Sequence, residues 1–213
     1  MAEYTVASIP DDFELPVSTF DIPQSYNGDL SGVIIPEGFI KDRTRRLAKD
    51  IHKKIGDQPL SLLCVLKGSY KFFTLLVDEL VNARSSCKDP ILVDFIRVKS
   101  YEQQASTGHV EVMGISNLNE LKGKNVLIVD DIADTGRTLA KLIDMLKEIG
   151  VNNTWTALLL SKRIKRTIAV PEDFVAFEIP DKFIVGYGLD YNQKFRDLNH
   201  ICVMSKAGIE KHK

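Results

Sequence analysis

Residues 126–138 read Val-Leu-Ile-Val-Asp-Asp-Ile-Ala-Asp-Thr-Gly-Arg-Thr. The four apolar residues Val126 to Val129 have the character of a strand buried on both faces, as in a parallel sheet. Asp130 and Asp131 stand at its carboxyl end, and a short turn of small hydroxyl residues and glycine follows. Leu139, Leu142, Ile143, Leu146 and Ile149 then recur at helical spacing up to Gly150. Ligands of open parallel sheets bind outside the carboxyl ends of the strands. The free N–H groups expected from Ala133 through Thr138, where the helix starts, form an anion site. Carboxylates suited to sugar hydroxyls or a metal thus lie beside a cradle suited to phosphate, and the expected ligand is a sugar phosphate.

Asp-Asp alone is common in solvated loops, and Thr-Gly alone often begins a helix; the full array of strand, acid pair, third acid and Thr-Gly is what carries the reading. It is not a Walker A loop, because the first glycine of that motif would fall at position 131, which is Asp. A dinucleotide fold is excluded in the same way, since no strand is followed by Gly-x-Gly-x-x-Gly.

At 213 residues the chain suits one domain, residues 1–213, with room for a proper core. A formal net charge of −1 gives no global attraction to nucleic acid or to an anionic membrane surface. No run approaches the roughly 18 apolar residues of a membrane span. The amino terminus lacks the basic and apolar regions of a secretory signal. Cys64, Cys87 and Cys202 are odd in number and widely spaced, and Cys64 and Cys202 sit inside apolar runs, which suits buried free thiols in a reducing compartment. Cytoplasm is the expected location. His52, His109, His200 and His212 show no metal-ligand spacing.

Residues 1–25 carry three prolines and several acids without periodicity, and are expected to form an extended arm over the body. Asp42 to Ile55 predicts a helix with Leu47, Ile51 and Ile55 on one face, Arg43, Arg45, Arg46 and the lysines up to Lys54 mostly solvated, and Gly56 as the stop. The apolar residues of this helix suit a core or a subunit interface equally. Strands are predicted at 60–66, 91–98, 109–113, 155–160, 183–185 and 200–204, with a helix carrying Phe72, Phe73, Leu76 and Leu80 after Lys67-Gly68-Ser69. The polar residues 102–111 suggest a long mobile hairpin. Alternation of buried strands with amphipathic helices gives the fold class as α/β, a mainly parallel central sheet flanked by helices. The hairpin and terminal pieces would form a small hood lobe.

The array at 126–138 resembles the phosphoribosyl-pyrophosphate (PRPP) motif of the type I phosphoribosyltransferases. Leu66-Lys67-Gly68-Ser69-Tyr70-Lys71-Phe72, Lys99-Ser100-Tyr101, Ser161-Lys162-Arg163 and the run Phe177 to Cys202 occur around it in the order seen in the hypoxanthine-guanine members of that family. Phe-Glu-Ile-Pro-Asp-Lys-Phe-Ile-Val-Gly-Tyr-Gly-Leu-Asp-Tyr-Asn, with Phe-Arg-Asp-Leu-Asn-His after it, is the most specific block, and the similarity runs from about Asp21 to the end of the chain.

The resemblance implies the type I phosphoribosyltransferase fold and magnesium-dependent transfer of a 5-phosphoribosyl group from PRPP to a 6-oxopurine, in a homodimer or homotetramer. It implies that Asp130 and Asp131 accept from the ribose hydroxyls, directly or through magnesium-bound water, and oppose the charge of an oxocarbenium-like transition state. Within Ile132, Ala133, Asp134, Thr135, Gly136, Arg137 and Thr138, residues 134–138 would hold the 5-phosphate through main-chain N–H groups and the two threonine hydroxyls.

Asp134 would take the N7 proton as general base, aided by apolar neighbours such as Ile132 that exclude water. From residue type alone, capping the helix is an equally open role for it. Lys162 would donate to the purine 6-oxygen, which an ammonium favours over an amino group. Phe183 would stack on the ring, and main-chain groups of Lys182 and Ile184 would read its far edge. Taken singly, Lys162 fits a solvated lysine, Phe183 a core residue and Arg196 a surface ion pair. In the resemblance, Asp190 binds magnesium with substrate phosphates and water, and pyrophosphate is gripped by Arg196 and by main-chain groups at Lys67-Gly68, in a strained or cis peptide. Ser100 and Tyr101 would lead the mobile hairpin over the reacting centre.

Ser69 stands where the family usually has a second glycine, which implies a less permissive pyrophosphate loop. Asp130 replaces a frequent glutamate, and Ala133 and Arg137 also depart from the commonest residues. A non-catalytic regulatory protein binding purine nucleotides or PRPP is the alternative. Retention of Asp134, Lys162, Asp190 and Arg196 and the lack of a DNA-binding segment argue against it.

Overall fold

A computed structural model of the chain describes residues 4–84, 88–99, 111–113, 118–166 and 168–213. In chain order the elements are β1 (Ala7–Ser8), β2 (Leu30–Ile35), α1 (Glu37–Ile55), β3 (Leu60–Leu66), α2 (Tyr70–Ala83), β4 (Ile91–Lys99), β5 (Glu111–Met113), β6 (Asn125–Ala133), α3 (Arg137–Ile149), β7 (Asn153–Lys162), β8 (Phe174–Ile179), β9 (Ile184–Val185), β10 (Ile201–Met204) and α4 (Lys206–Lys211). Seven strands form one sheet in the order β1-β8-β7-β6-β3-β4-β5, parallel at every pairing except β4 with β5. A second, antiparallel sheet has the order β2-β10-β9.

Alternation along the central strands explains why both faces need cover. Leu60, Leu62 and Cys64 of β3 and Leu127 and Val129 of β6 point to a core shared with α1 and α2. Leu63, Val65, Val126 and Ile128 point the other way, onto Leu139, Leu142, Ile143 and Leu146 of α3. Such strands are apolar throughout because neither side meets water. Gly56 and Gly150 end α1 and α3 with positive φ, and the Gly56 N–H reaches the His52 carbonyl at 2.7 Å.

Several details differ from the sequence reading. The helix expected from Asp42 begins at Glu37, directly after extended Pro36; Gly38 in its first turn hides the start. Its apolar stripe is core, since Ile40, Leu47 and Ile51 are fully buried. Arg43, read as solvated, is buried as well, and its Nε donates to the Ala176 carbonyl at 2.8 Å. Strands β2 and β8 were not foreseen, and Phe183 and His200 lie just outside β9 and β10. Cys64 and Cys202 are buried free thiols, the first pushed up to a pKa of about 11 and the second to about 12 by burial. Cys87, His109, Ser100, Tyr101 and most of the expected hairpin at 102–111 lie outside the described residues.

Candidate active site

Parallel pairing brings the carboxyl ends of β3, β6, β7 and β8 to one edge of the large sheet. The loops leaving these strands carry Lys67-Gly68, the 134–136 turn, Lys162 and Asp181-Lys182-Phe183. The chain then enters the small sheet, and after β9 it passes through Gly188, Asp190 and Arg196.

Strand β6 runs on to Ala133, so the acid pair lies within the strand and not beyond it. Asp130 is buried and Asp131 keeps a partly exposed edge. Each carboxylate accepts from the next main-chain N–H: Asp130 Oδ1 from Asp131 at 3.0 Å, Asp131 Oδ1 from Ile132 at 2.9 Å. Burial raises the pKa of both carboxyls. Repulsion from Asp131 adds to the rise at Asp130, while hydrogen bonding and the charge of Arg196 oppose it at Asp131. A carboxyl pair held this way is poised to receive hydroxyl donors or a hydrated cation.

Gly68 closes over this pair. A Cβ built on it would sit 1.5 Å from Asp131 Oδ2, so only glycine lets the loop pass with the carboxylate in its present place. Gly188 packs on the same loop: its φ is +102°, and a Cβ there would lie 2.0 Å from the Gly68 carbonyl oxygen. The peptide between Leu66 and Lys67 is cis. Ser69, which stands where a second glycine was expected, has ordinary right-handed angles (φ −74°, ψ −7°), so no glycine is demanded there.

The anion cradle is shorter than the sequence suggested. Ala133 pairs with Ser161 inside the β6–β7 ladder, and the turn proper comprises Asp134, Thr135 and Gly136. Gly136 takes φ +78° and precedes α3, whose first helical N–H bond is that of Ala140 to the Gly136 carbonyl. The N–H groups of Arg137 and Thr138 are therefore without helical acceptors and face the turn. Gly136 serves as the N-cap, with no side-chain capping bond, so Asp134 does not cap α3. Asp134 and Thr135 are exposed and Ile132 is half-buried; the apolar shield expected around Asp134 is not formed.

Lys162 is not a solvated lysine. Its side chain is only 15% exposed and its Nζ lies 3.1 Å from Asp181 Oδ1. Phe183, far from being core, is 45% exposed and meets Tyr191 edge-on at 5.0 Å between centroids. The Lys182 N–H is given to the Pro180 carbonyl at 2.9 Å, which leaves its carbonyl as the polar main-chain group. Ile184 is buried in β9.

Arg196 binds Asp190 through Nη2 at 2.7 Å and donates from Nη1 to the Gly188 carbonyl at 2.7 Å. Asp190 Oδ2 accepts from the Gln193 N–H at 2.8 Å, and Gln193 Oε1 accepts from Lys67 Nζ at 3.0 Å. Lys67, Gly68, Gly188, Asp190 and Arg196 are thus one cluster, and the charge of Arg196 reaches Asp131. Among the described residues no three His, Cys, Asp or Glu side chains converge as a metal cage. The oxygen donors of Asp131 and Asp190 do fit a hard cation that keeps most of its water.

Three contributors escaped the sequence reading. Gly188 is the close neighbour of Gly68. Glu14, from the amino-terminal arm, bonds Lys182 Nζ at 2.6 Å, and this hydrogen bond holds its carboxyl below the usual range. Arg166 donates to two carbonyls of the 133–134 turn. No local pattern marks Glu14 or Arg166, because each acts across the fold. Gly188 could have been found as a glycine flanked by large residues in a strand-end run.

Residues 37–192 match the phosphoribosyl transferase domain model. The chain is 51% identical over 196 residues to the hypoxanthine-guanine phosphoribosyltransferase of Rattus norvegicus, covering 91% of this chain and 90% of that protein. The Homo sapiens protein of the same name is 50% identical with the same coverage. Among solved structures, the Schistosoma mansoni hypoxanthine-guanine phosphoribosyltransferase in complex with IMP superposes with a TM-score of 0.81 at 37% identity, over 99% of this chain and 100% of that one. A hypoxanthine phosphoribosyltransferase from Staphylococcus aureus gives 0.76 at 30% identity, over 88% and 98%.

Proposed function

The chain belongs to the phosphoribosyltransferase family, and from that premise we propose how its residues perform the reaction. The protein is a purine-salvage enzyme that transfers the 5-phosphoribosyl group of PRPP to hypoxanthine or guanine, giving IMP or GMP and pyrophosphate. The observation that carries the assignment of roles is the convergence of an acid pair, an anion cradle and a buried lysine at one sheet edge.

In this reading the free N–H groups of the 134–138 turn and the hydroxyls of Thr135 and Thr138 hold the 5-phosphate. Asp130 and Asp131 accept from the ribose hydroxyls, and their charge opposes the positive charge that builds at C1 as pyrophosphate leaves. Asp134, exposed beside them, takes the N7 proton of the purine. Lys162 exchanges its bond to Asp181 for the 6-oxygen of the base. Phe183 offers an exposed face for stacking, and the Lys182 carbonyl and the main chain of Ile184 read the far edge. Arg196 and the main chain of Lys67-Gly68 hold the departing pyrophosphate.

Magnesium is the metal proposed, held by Asp190 with substrate phosphates and water, where it would neutralise phosphate charge. Asp190 is already oriented by Arg196 and by the Gln193 N–H. We propose that residues 1–213 act as one catalytic domain with the small sheet as its hood, in the cytoplasm, as a homodimer or homotetramer. Exposed Leu92, Val93 and Phe95 on β4 and Val81 on α2 supply apolar surface for such an association.

The test is Asp134→Asn. Turnover should fall by about two to four orders of magnitude, the scale of a lost general base, with PRPP binding largely kept. Near-normal turnover removes Asp134 from the reaction.

A further inference from the structure

Arg166 lies outside every motif quoted above, yet its guanidinium makes more polar contacts in the site than any other side chain described here. Its Nε donates to the Asp134 carbonyl at 2.9 Å, and its Nη2 to the Ala133 carbonyl at 3.0 Å and the Ser161 hydroxyl at 2.8 Å. The same Nη2 lies 3.3 Å from the Lys162 carbonyl. Its Nη1 pairs with Glu172, whose other oxygen accepts from the Ser161 hydroxyl at 2.7 Å. Both side chains are largely buried, at 15% and 21% exposure.

The acceptors belong to two separate elements: the turn that carries Asp134 after β6, and the end of β7 that carries Lys162. We propose that Arg166 is a positioning residue that fixes the proton-accepting Asp134 and the oxo-recognising Lys162 at a constant separation, with Glu172 and Ser161 orienting the guanidinium. The proposal rests on the roles given to Asp134 and Lys162 above. Base N7 and the 6-oxygen are neighbouring atoms of one rigid ring. Two side chains that must meet them together gain from having their main chains tied to one planar group. A guanidinium has five donors in fixed directions and can span four acceptors, whereas a lysine ammonium is a flexible point charge. The tie matters most at Asp134, whose side chain is exposed and whose main chain Arg166 holds.

The same segment supports the phosphate turn from below. A Cβ on Gly136 would lie 3.0 Å from the Ile168 carbonyl oxygen and within 3.4 Å of the Val170 methyls. Arg166, Ile168 and Val170 thus back the turn, and Arg166 is the polar anchor of that backing.

The experiment compares Arg166→Lys and Arg166→Ala in the full-length enzyme, with Asp134→Asn in parallel, by steady-state kinetics and thermal melting. Misplacement of reacting groups by about 1 Å costs on the order of 10²-fold, so kcat should fall by about that factor in both variants while KM for PRPP stays within about threefold. Added guanidinium ion should restore part of the turnover of Arg166→Ala and none of that of Arg166→Lys, whose ammonium occupies the space. A purely structural role would lower the melting temperature without this rescue. Arg166→Lys keeps the ion pair with Glu172 and is the variant to read if Arg166→Ala fails to fold. A kcat within about threefold of wild type for a folded Arg166 variant, beside a crippled Asp134→Asn, refutes the positioning role alone. Full turnover by Asp134→Asn instead refutes the reading of the site on which the proposal stands.

Discussion

Substituting Gly68 by alanine tests whether the loop after β3 and the acid pair form one machine. The added Cβ would lie 1.5 Å from Asp131 Oδ2, against the 3.0 Å that real Cβ atoms keep even in tight contacts, so the two must separate by about 1.5 Å. The loop is itself confined, since Gly188 packs closely on the Gly68 carbonyl oxygen. The carboxylate is the freer partner: by rotating it escapes the methyl, at the cost of its bond to the Ile132 N–H and its approach to Arg196. The fold should therefore survive while the site does not. A lost hydrogen bond of this kind costs about 0.5–1.5 kcal/mol of stability, a shift of only a few degrees in melting temperature. A displacement above 1 Å at a substrate-positioning group costs on the order of 10²-fold in rate. Gly68→Ala should accordingly lose about 10²-fold or more in kcat/KM for PRPP with a melting curve close to wild type. Initial-rate assays with hypoxanthine and PRPP, alongside calorimetry, decide it. A folded variant with kcat/KM within about threefold of wild type would refute the packing argument.

Two further perturbations follow from other parts of the molecule. Lys162→Ala should weaken the use of hypoxanthine and guanine by about 10²-fold or more, since a site built to donate to the 6-oxygen depends on that donor; unchanged selectivity over adenine removes the lysine from base recognition. Asp29 is buried beneath His212 and Lys211, with contacts of 2.8 and 2.9 Å. Burial pushes its carboxyl up, but the hydrogen bonds from His212 and Lys211 outweigh this and hold its pKa below the ordinary value. A depressed folded pKa stabilises above the unfolded value, about 3.9, and that contribution is lost as pH falls through the folded one. Asp29→Asn should thus be less stable than wild type at pH 7 by about 1–3 kcal/mol, with the gap closing below about pH 4. Urea midpoints at both pH values measure it, and a gap independent of pH counts against the linkage.

The strand, acids and cradle of 126–138 were legible because fold and chemistry share one continuous segment. Four apolar residues can be satisfied only between two covered faces, and the turn after them must lie at the ligand edge. Boundaries were less legible where a local signal misled. Gly38 masked the first turn of α1, and the polar Asp130 and Asp131 concealed the continuation of β6 to Ala133. Phe174 to Ile179 was passed over as a strand although it is buried against β7, because its place is set by a partner remote in sequence. For the site, residue type suggested chemistry, but environment decided between readings. Lys162 and Phe183 fit the bland alternatives until the burial of the first and the exposure of the second were seen. Glu14 and Arg166 could not be read at all, since their meaning lies in what they touch.

That division has a physical cause in where the site sits. The large sheet supplies the groups that need fixed main-chain support: the acids on β6, the N–H cradle before α3 and the lysine ending β7. The segment around the small sheet supplies the exposed ring of Phe183 and the Asp190–Arg196 pair. Gly68 and Gly188 mark where the two meet, close enough that a methyl on either forces a neighbour to shift. The two sheets share an apolar core, in which Ile34, Ile35, Ile184, Ile201 and Val203 of the small sheet lie with Leu62, Leu127 and Phe177 of the large one, and the site occupies the polar rim of that seam. Its contacts are polar, and the carboxyls of Asp130 and Asp131 are kept there against their own desolvation. A rim of this kind persists because it binds, and substitutions along it should separate activity from stability where substitutions in the shared core would lower both.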